Sequence, residues 1–95
     1  MRKITQQAIE KFQSNLPFKK SNTKVVVEQN QTKLLLFDNL IAIKDADGSV
    51  SITDAGWDTR TTFQRLNGLP GVSIRSSKGV TYLNGKEWNG ELIEI

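Results

Sequence analysis

The sequence has no cysteine and no histidine. Without cysteine there are no disulfides, no thiolate metal sites and no cysteine nucleophile, and without histidine the commonest general base and metal ligand are gone. Serine–histidine, cysteine–histidine and zinc chemistry are thereby excluded. Long apolar runs are missing too. The longest, Leu34-Leu35-Leu36-Phe37, falls far short of the roughly 18 residues that span a bilayer. Met1-Arg2-Lys3 has the charge of a secretory leader, but Gln6, Gln7, Glu10 and Lys11 stand where the apolar segment of a leader belongs. The expectation is a soluble, cytoplasmic protein with no membrane partner, and the lack of cysteine agrees with a reducing compartment.

What remains is 95 residues, enough for one domain spanning 1–95. Area scaling gives roughly 5,500 Å² of folded surface against about 15,500 Å² unfolded, so about two-thirds of the chain surface is buried. A chain of this size leaves little room for a deep cleft between lobes. The net charge is +3 and unevenly spread: residues 1–24 carry Arg2, Lys3, Lys11, Lys19, Lys20 and Lys24 against Glu10 alone, a balance of +5, which leaves −2 for the rest. One end of the chain is therefore a candidate basic patch.

Ile4 before Thr5 and Ile9 after it have the spacing of a hydrophobic staple around a threonine N-cap. Ala8, Ile9, Phe12 and Leu16 continue near helical spacing, which predicts an amphipathic helix over 5–15 that Leu16-Pro17 closes. From Thr23 the texture becomes β-branched. Strands are predicted at 23–28, 32–37, 40–44 and 49–53, joined through Asn30-Gln31, Asp38-Asn39 and Asp45–Gly48. Connections this short join antiparallel neighbours. Val25–Val27 and Leu34–Phe37 are apolar at consecutive positions, the mark of strands covered on both faces. Asp58 or Thr59 caps a second helix running to about Asn67, with Phe63 and Leu66 facing the core and Gly68 as the left-handed C-terminal residue. Strands at 72–76, 80–83 and 86–88 follow, with Asn84-Gly85 as a hairpin turn, and 91–95 completes the chain. The order α-ββββ-α-βββ makes this an α+β protein, an antiparallel meander with two helices. Its predicted core is Ile9, Phe12, Val26, Leu34, Leu36, Ile41, Ile43, Ile52, Phe63, Leu66 and Ile74.

The candidates for chemistry are few. Asp45-Ala46-Asp47-Gly48 begins like a calcium loop, but the twelfth position is Gly56, where a bidentate glutamate is required. A solvated hairpin turn explains it more simply. Asp54 and Asp58 flank Trp57 as a conceivable carboxylate pair, yet helix capping accounts for both. No glycine pattern forms a phosphate cradle. The expectation is a protein that is not an enzyme and needs no metal and no cofactor, with no catalytic residue to assign.

Binding surfaces are easier to nominate. Arg60, Gln64 and Asn67 share one face of the second helix and have side chains that read bases by paired hydrogen bonds, as well as being ordinary residues of a solvated face. Trp57 and Trp88 are each a core anchor or an interface hot spot. Tyr82, with Arg75 and Lys78 near it in sequence, is placed to stack on a base from a sheet face. These considerations give Lys19, Lys20, Trp57, Arg60, Gln64, Tyr82 and Trp88 as the partner-binding set. Lys3, Lys11, Lys19, Lys20 and Lys24 form the alternative, nucleic-acid-binding set.

Residues 67–74, Asn67-Gly68-Leu69-Pro70-Gly71-Val72-Ser73-Ile74, and 79–91, Gly79-Val80-Thr81-Tyr82-Leu83-Asn84-Gly85-Lys86-Glu87-Trp88-Asn89-Gly90-Glu91, resemble the C-terminal half of small proteins of bacteriophages and mobile elements. Ile52–Trp57, Thr61-Thr62, Arg65-Leu66 and Phe18–Thr23 are similar to the same family. These motifs are turns and tryptophans, which describe a fold and carry no catalytic residue onto this chain. What the resemblance implies is a small phage-type protein in the host cytoplasm. It would act by stoichiometric binding to a host protein or nucleoprotein, for example as an inhibitor of host defence such as an anti-CRISPR. The alternative is a nucleic-acid-binding regulatory module that uses the basic N-terminal segment.

Overall fold

The structure, a computed structural model, describes residues 2–95, and Met1 lies outside the described residues. The chain runs α1 (Lys3–Gln13), β1 (Phe18–Lys20), β2 (Thr23–Glu28), β3 (Gln31–Leu36), β4 (Asn39–Lys44), β5 (Val50–Ile52), α2 (Arg60–Leu66), β6 (Ile74–Ser77), β7 (Val80–Leu83), β8 (Lys86–Glu87) and β9 (Ile93–Glu94). The expected α+β class, antiparallel pairing and α-ββββ-α-βββ order are present, with two short strands, β1 and β9, added. Pairing divides the strands between a six-stranded sheet, β1-β2-β3-β4-β5-β9, and a three-stranded one, β6-β7-β8. Buried apolar side chains from both sheets and both helices join in one cluster. Among the described residues no helix is long and apolar enough to cross a membrane.

Hairpin turns set the register. Glu28 pairs with Gln31 and Leu36 with Asn39, so the two-residue turns are Gln29-Asn30 and Phe37-Asp38, each one position earlier than the polar clusters suggest. All four turn residues have positive φ, as the type of turn that matches strand twist demands. Because side chains alternate, each shift decides which residues face the core. Val25 is buried in place of the expected Val26, and β3 alternates strictly, with Thr32, Leu34 and Leu36 inward. These strands are thus covered on one face, not two: Val27 is 40% and Phe37 66% exposed. Ile43 is likewise only half-buried. A register shift between Leu34 and Leu35 leaves Ile41 without a direct partner. The bulge turns Ile41 inward beside Ala42, so both are buried.

The first helix starts earlier than its staple predicts. It begins at Lys3 after an N-cap residue, Arg2, whose side chain makes no cap. Thr5 lies inside the helix and is buried, because its hydroxyl accepts a 2.7 Å hydrogen bond from Arg65 Nη1. The helix also stops at Gln13, four residues before Pro17, where Asn15 takes a left-handed conformation.

The second helix is capped by Thr59, whose Oγ1 accepts from the Thr62 N–H at 3.3 Å. Its inward face is Thr62, Arg65 and Leu66, with Phe63 only half-buried. Arg65 is 1% exposed. Its Nε donates to Thr23 Oγ1 at 3.0 Å, Nη1 to Thr5 Oγ1, and Nη2 to Asn22 Oδ1 at 3.4 Å. Burial, and secondarily the charge of Arg2, push its pKa below the ordinary guanidinium value, yet a guanidinium keeps its proton in proteins. One buried cation thus joins α2 to α1 and to the β1–β2 turn.

Gly68 is not the left-handed residue expected at the helix end: its φ is not positive, whereas that of Gly71 is +78°. Glycine stands at 68 because a Cβ there would lie 2.8 Å from Ile9 Cγ1 and 2.9 Å from Thr5 Cγ2. It sets how closely the end of α2 approaches α1. Trp88, 7% exposed, closes the core under the small sheet, and its Nε1 donates to the Glu91 carbonyl at 3.0 Å.

Two stability measurements test this arrangement. Arg65→Ala loses three charge-assisted hydrogen bonds and opens a cavity, and is expected to cost about 3 kcal/mol in urea unfolding. Gly68→Ala is expected to cost about 1–3 kcal/mol by overpacking. Combined with Ile9→Ala it should cost less than the two single changes together, because the double variant removes one of the two colliding side-chain atoms, Ile9 Cγ1, and leaves only Thr5 Cγ2. A Gly68→Ala cost unchanged by Ile9→Ala would refute the close approach.

Candidate functional site

The end of the six-stranded sheet that carries the β1–β2 and β3–β4 turns also carries the segment after β5. Phe37 occupies the first turn position between β3 and β4 with φ 50°. A bulky residue is strained in that region of backbone space, and at this turn position the Phe37 ring lies exposed. The Phe37 N–H donates to the Asn22 carbonyl at 2.8 Å, which ties this turn to the neighbouring one. After β5, Asp54 Oδ1 accepts the Gly56 N–H and the Asp54 carbonyl accepts the Trp57 N–H, both at 2.8 Å. That tight loop holds Trp57 outward, 59% exposed. Gly90 pins the loop from behind: its carbonyl accepts from the Asp54 N–H and Thr53 Oγ1, and a Cβ on it would run into the Asp54 carboxylate.

Between the two aromatics lies an apolar groove of about 330 Å³. Leu36 and the bulged Ile41 contribute its buried floor, Phe37 and Trp57 its walls, and Asn39 and Thr59 polar margins. Two large aromatic rings left in water beside a depression is what interface anchors look like before a partner arrives.

Two further depressions with charged linings adjoin the groove, one sharing Phe37 with it and the other sharing Asp54. On the far side of Phe37, a cleft of about 240 Å³ is lined by Lys19, Lys24 and Asp38. Lys19 and Lys24 are directly opposite each other in the β1–β2 register, an unfavourable placement of like charges. Lys24 reaches Asp38 at 3.3 Å, and the Asp38 side chain is 82% exposed. Beyond Asp54, a cleft of about 420 Å³ is lined by Asp58 and Glu87.

The residues nominated from sequence separate in space. Trp57 forms the groove, and Lys19 lies in the adjoining cleft. Lys20 is exposed and its Nζ donates to Gln7 Oε1 at 3.4 Å. Gln7 stands between Lys3 and Lys11 on one stripe of α1, so Lys3, Lys11 and Lys20 form a basic row while Lys24 is engaged with Asp38. Arg60 is exposed and Gln64 half-buried, and Gln64 lines a different depression with Arg2. Asn67 is structural, its side chain bridging the N–H and carbonyl of Ile74. Tyr82 lies half-buried on the small sheet between Arg75 and Glu87 in register. Trp88 belongs to the core. Phe37 was not nominated: its place at the end of an apolar run disguises a turn residue as a strand residue.

Of the carboxylate candidates, Asp45, Asp47 and Asp54 accept hydrogen bonds, and neither Asp54 nor Asp58 caps the second helix as expected, since Thr59 does so. Asp45 Oδ1 accepts from Gln31 Nε2 and Asp47 Oδ1 from the Ser49 N–H, both at 2.9 Å. That backbone hydrogen bond lowers the Asp47 pKa below its usual value. No group of three or more acidic residues among the described residues is arranged to hold a metal ion.

The family model of the Kyanoviridae Gp96 protein matches residues 1–91 of the chain. The chain belongs to that family, whose members are phage proteins. No curated protein and no solved structure matches it.

The two tryptophans make the groove observable. Acrylamide should quench one emitting population readily and the other poorly, and Trp57→Phe should remove the accessible one and leave a blue-shifted spectrum from Trp88. Equal quenching of both in the native protein would contradict the placement.

Proposed function

We propose that this member of the Kyanoviridae Gp96 family acts without catalysis, by stoichiometric binding of a host protein through the groove between Phe37 and Trp57. The observation that carries the reading is the pair of exposed aromatics around an apolar depression, one of them held in a strained backbone conformation. Exposing these rings forfeits burial that a 95-residue fold would otherwise use, since a fully buried aromatic side chain is worth about 1.5–3 kcal/mol. A partner that covers them recovers it. Inhibitors of host defence, anti-CRISPR proteins among them, are the functional class this mode of action fits. A second reading, nucleic-acid binding, is favoured by the row formed by Lys3, Lys11 and Lys20. It predicts affinity that falls with salt at a slope near −0.9 per phosphate contacted on duplex DNA.

Affinity capture from host lysate, with and without nuclease treatment, separates the two. The expected result is one protein recovered in stoichiometric amount in both conditions. Phe37→Ala and Trp57→Ala, each an anchor worth about 2 kcal/mol or more, should abolish recovery, whereas Tyr82→Ala and Lys11→Glu leave it unchanged. Recovery that requires intact nucleic acid and is lost in Lys3→Glu/Lys11→Glu gives the function to the basic row instead.

A further inference from the structure

Strand order fixes the basic cleft and the groove relative to one another, and the acidic cleft adjoins the groove at Asp54, which lines both. The Lys19/Lys24 cleft sits at the β1–β2 turn, Phe37 at the β3–β4 turn, and Trp57 follows the end of β5, with the Asp58/Glu87 cleft beyond it. They therefore form a row: basic cleft, Phe37, the apolar groove walled by Trp57, Asp54, acidic cleft. The two ends are not equivalent electrostatically. At the basic end two lysines face each other across a strand pair, and the one carboxylate that reaches them, Asp38, is largely in water. Such a pair is relieved by a further carboxylate. At the acidic end neither Asp58 nor Glu87 has an ion-pair partner among the described residues.

From this charge polarity we infer that the groove's occupant is an extended polypeptide segment with an apolar side chain between an acidic residue on one side and a basic residue on the other. The inference rests on the binding reading above and specifies its partner. β2 to β5 spans three strand spacings, about 15 Å, which an extended segment covers in roughly five residues. The apolar side chain enters between Phe37 and Trp57, a carboxylate meets Lys19 and Lys24, and a cation meets Asp58 and Glu87. The strip carries both signs, so a segment of a single sign is repelled at one end.

The test uses the intact protein and blocked seven-residue peptides, with Trp57 emission and peptide anisotropy as readouts. The probe carries two aspartates, glycine, leucine, glycine and two lysines. It is made in both chain directions, because the groove does not fix which way the backbone runs. The controls replace the lysines by aspartates, the aspartates by lysines, or the leucine by glycine. At least one direction of the mixed-charge probe is expected to bind about tenfold more tightly than either single-sign control, with a blue shift of Trp57 and an affinity that weakens with salt. The glycine control should not bind. Lys19→Glu/Lys24→Glu, changes at surface positions, should transfer preference to the all-lysine control. Equal binding of mixed and single-sign peptides, or no binding of the mixed probe, overturns the inference. Capture of a host protein that depends on Phe37 and Trp57 would still support the groove in that case, so the two readings fail separately. A blue shift of Trp57 with protein concentration alone would assign the strip to a second copy of the chain and overturn the inference as well.

Discussion

Arg65 carries a positive charge into the contact between the two helices and the first hairpin turn, and among the described residues no ion pair meets it there. A charge leaves water at a cost of several kcal/mol unless its hydrogen bonds are well made. Here Thr5, Asn22 and Thr23 make them, which explains why a threonine is buried in the first turn of α1 and another at the first position of β2. The requirement runs outward from there. α1 must start early enough to place Thr5 opposite Arg65, the end of α2 must approach closely enough to need Gly68, and the β1–β2 turn must hold Asn22 still.

The same turn reaches the candidate site. Asn22 accepts the Phe37 N–H through its carbonyl and the guanidinium through its side chain, so the anchor of the helix contact and the support of the exposed aromatic are one residue. Phe37 needs such support, since its left-handed backbone is held against its own preference. On the other wall Asp54 and Gly90 do the equivalent for Trp57. The two rings are therefore presented by loops tied into the fold, and less entropy is lost when a partner covers them.

The strand faces are misread from sequence for identifiable reasons. Polar turn clusters at Asn30-Gln31 and Asp38-Asn39 suggest loops one residue later than the observed turns. A one-residue change in an alternating strand exchanges its faces. The displacement draws Phe37 into a predicted strand, while three consecutive valines offer no alternation by which to choose Val25 over Val26. The bulge that buries Ile41 beside Ala42 leaves no mark that alternation can detect. Arg65 was absent from the predicted core because arginine is almost never fully buried, and the hydroxyls that permit it come from residues 42 and 60 positions away.

By itself the sequence determined the class of the protein. Its missing cysteines and histidines removed whole chemistries, its change from helical to alternating periodicity at Thr23 and back at Asp58 set the succession of helices and strands, and Asn84-Gly85 fixed a hairpin. Such features are local, written in the preferences of a few neighbouring residues. Tertiary structure alone decided which tryptophan is core and which is surface, since both sit beside glycine or asparagine turns and differ only in what packs over them. It alone left Phe37 in water beside Trp57 and brought Glu87 of the small sheet into one cleft with Asp58, because the order of strands in the meander is local whereas the packing of one sheet against the other is set by long-range contacts.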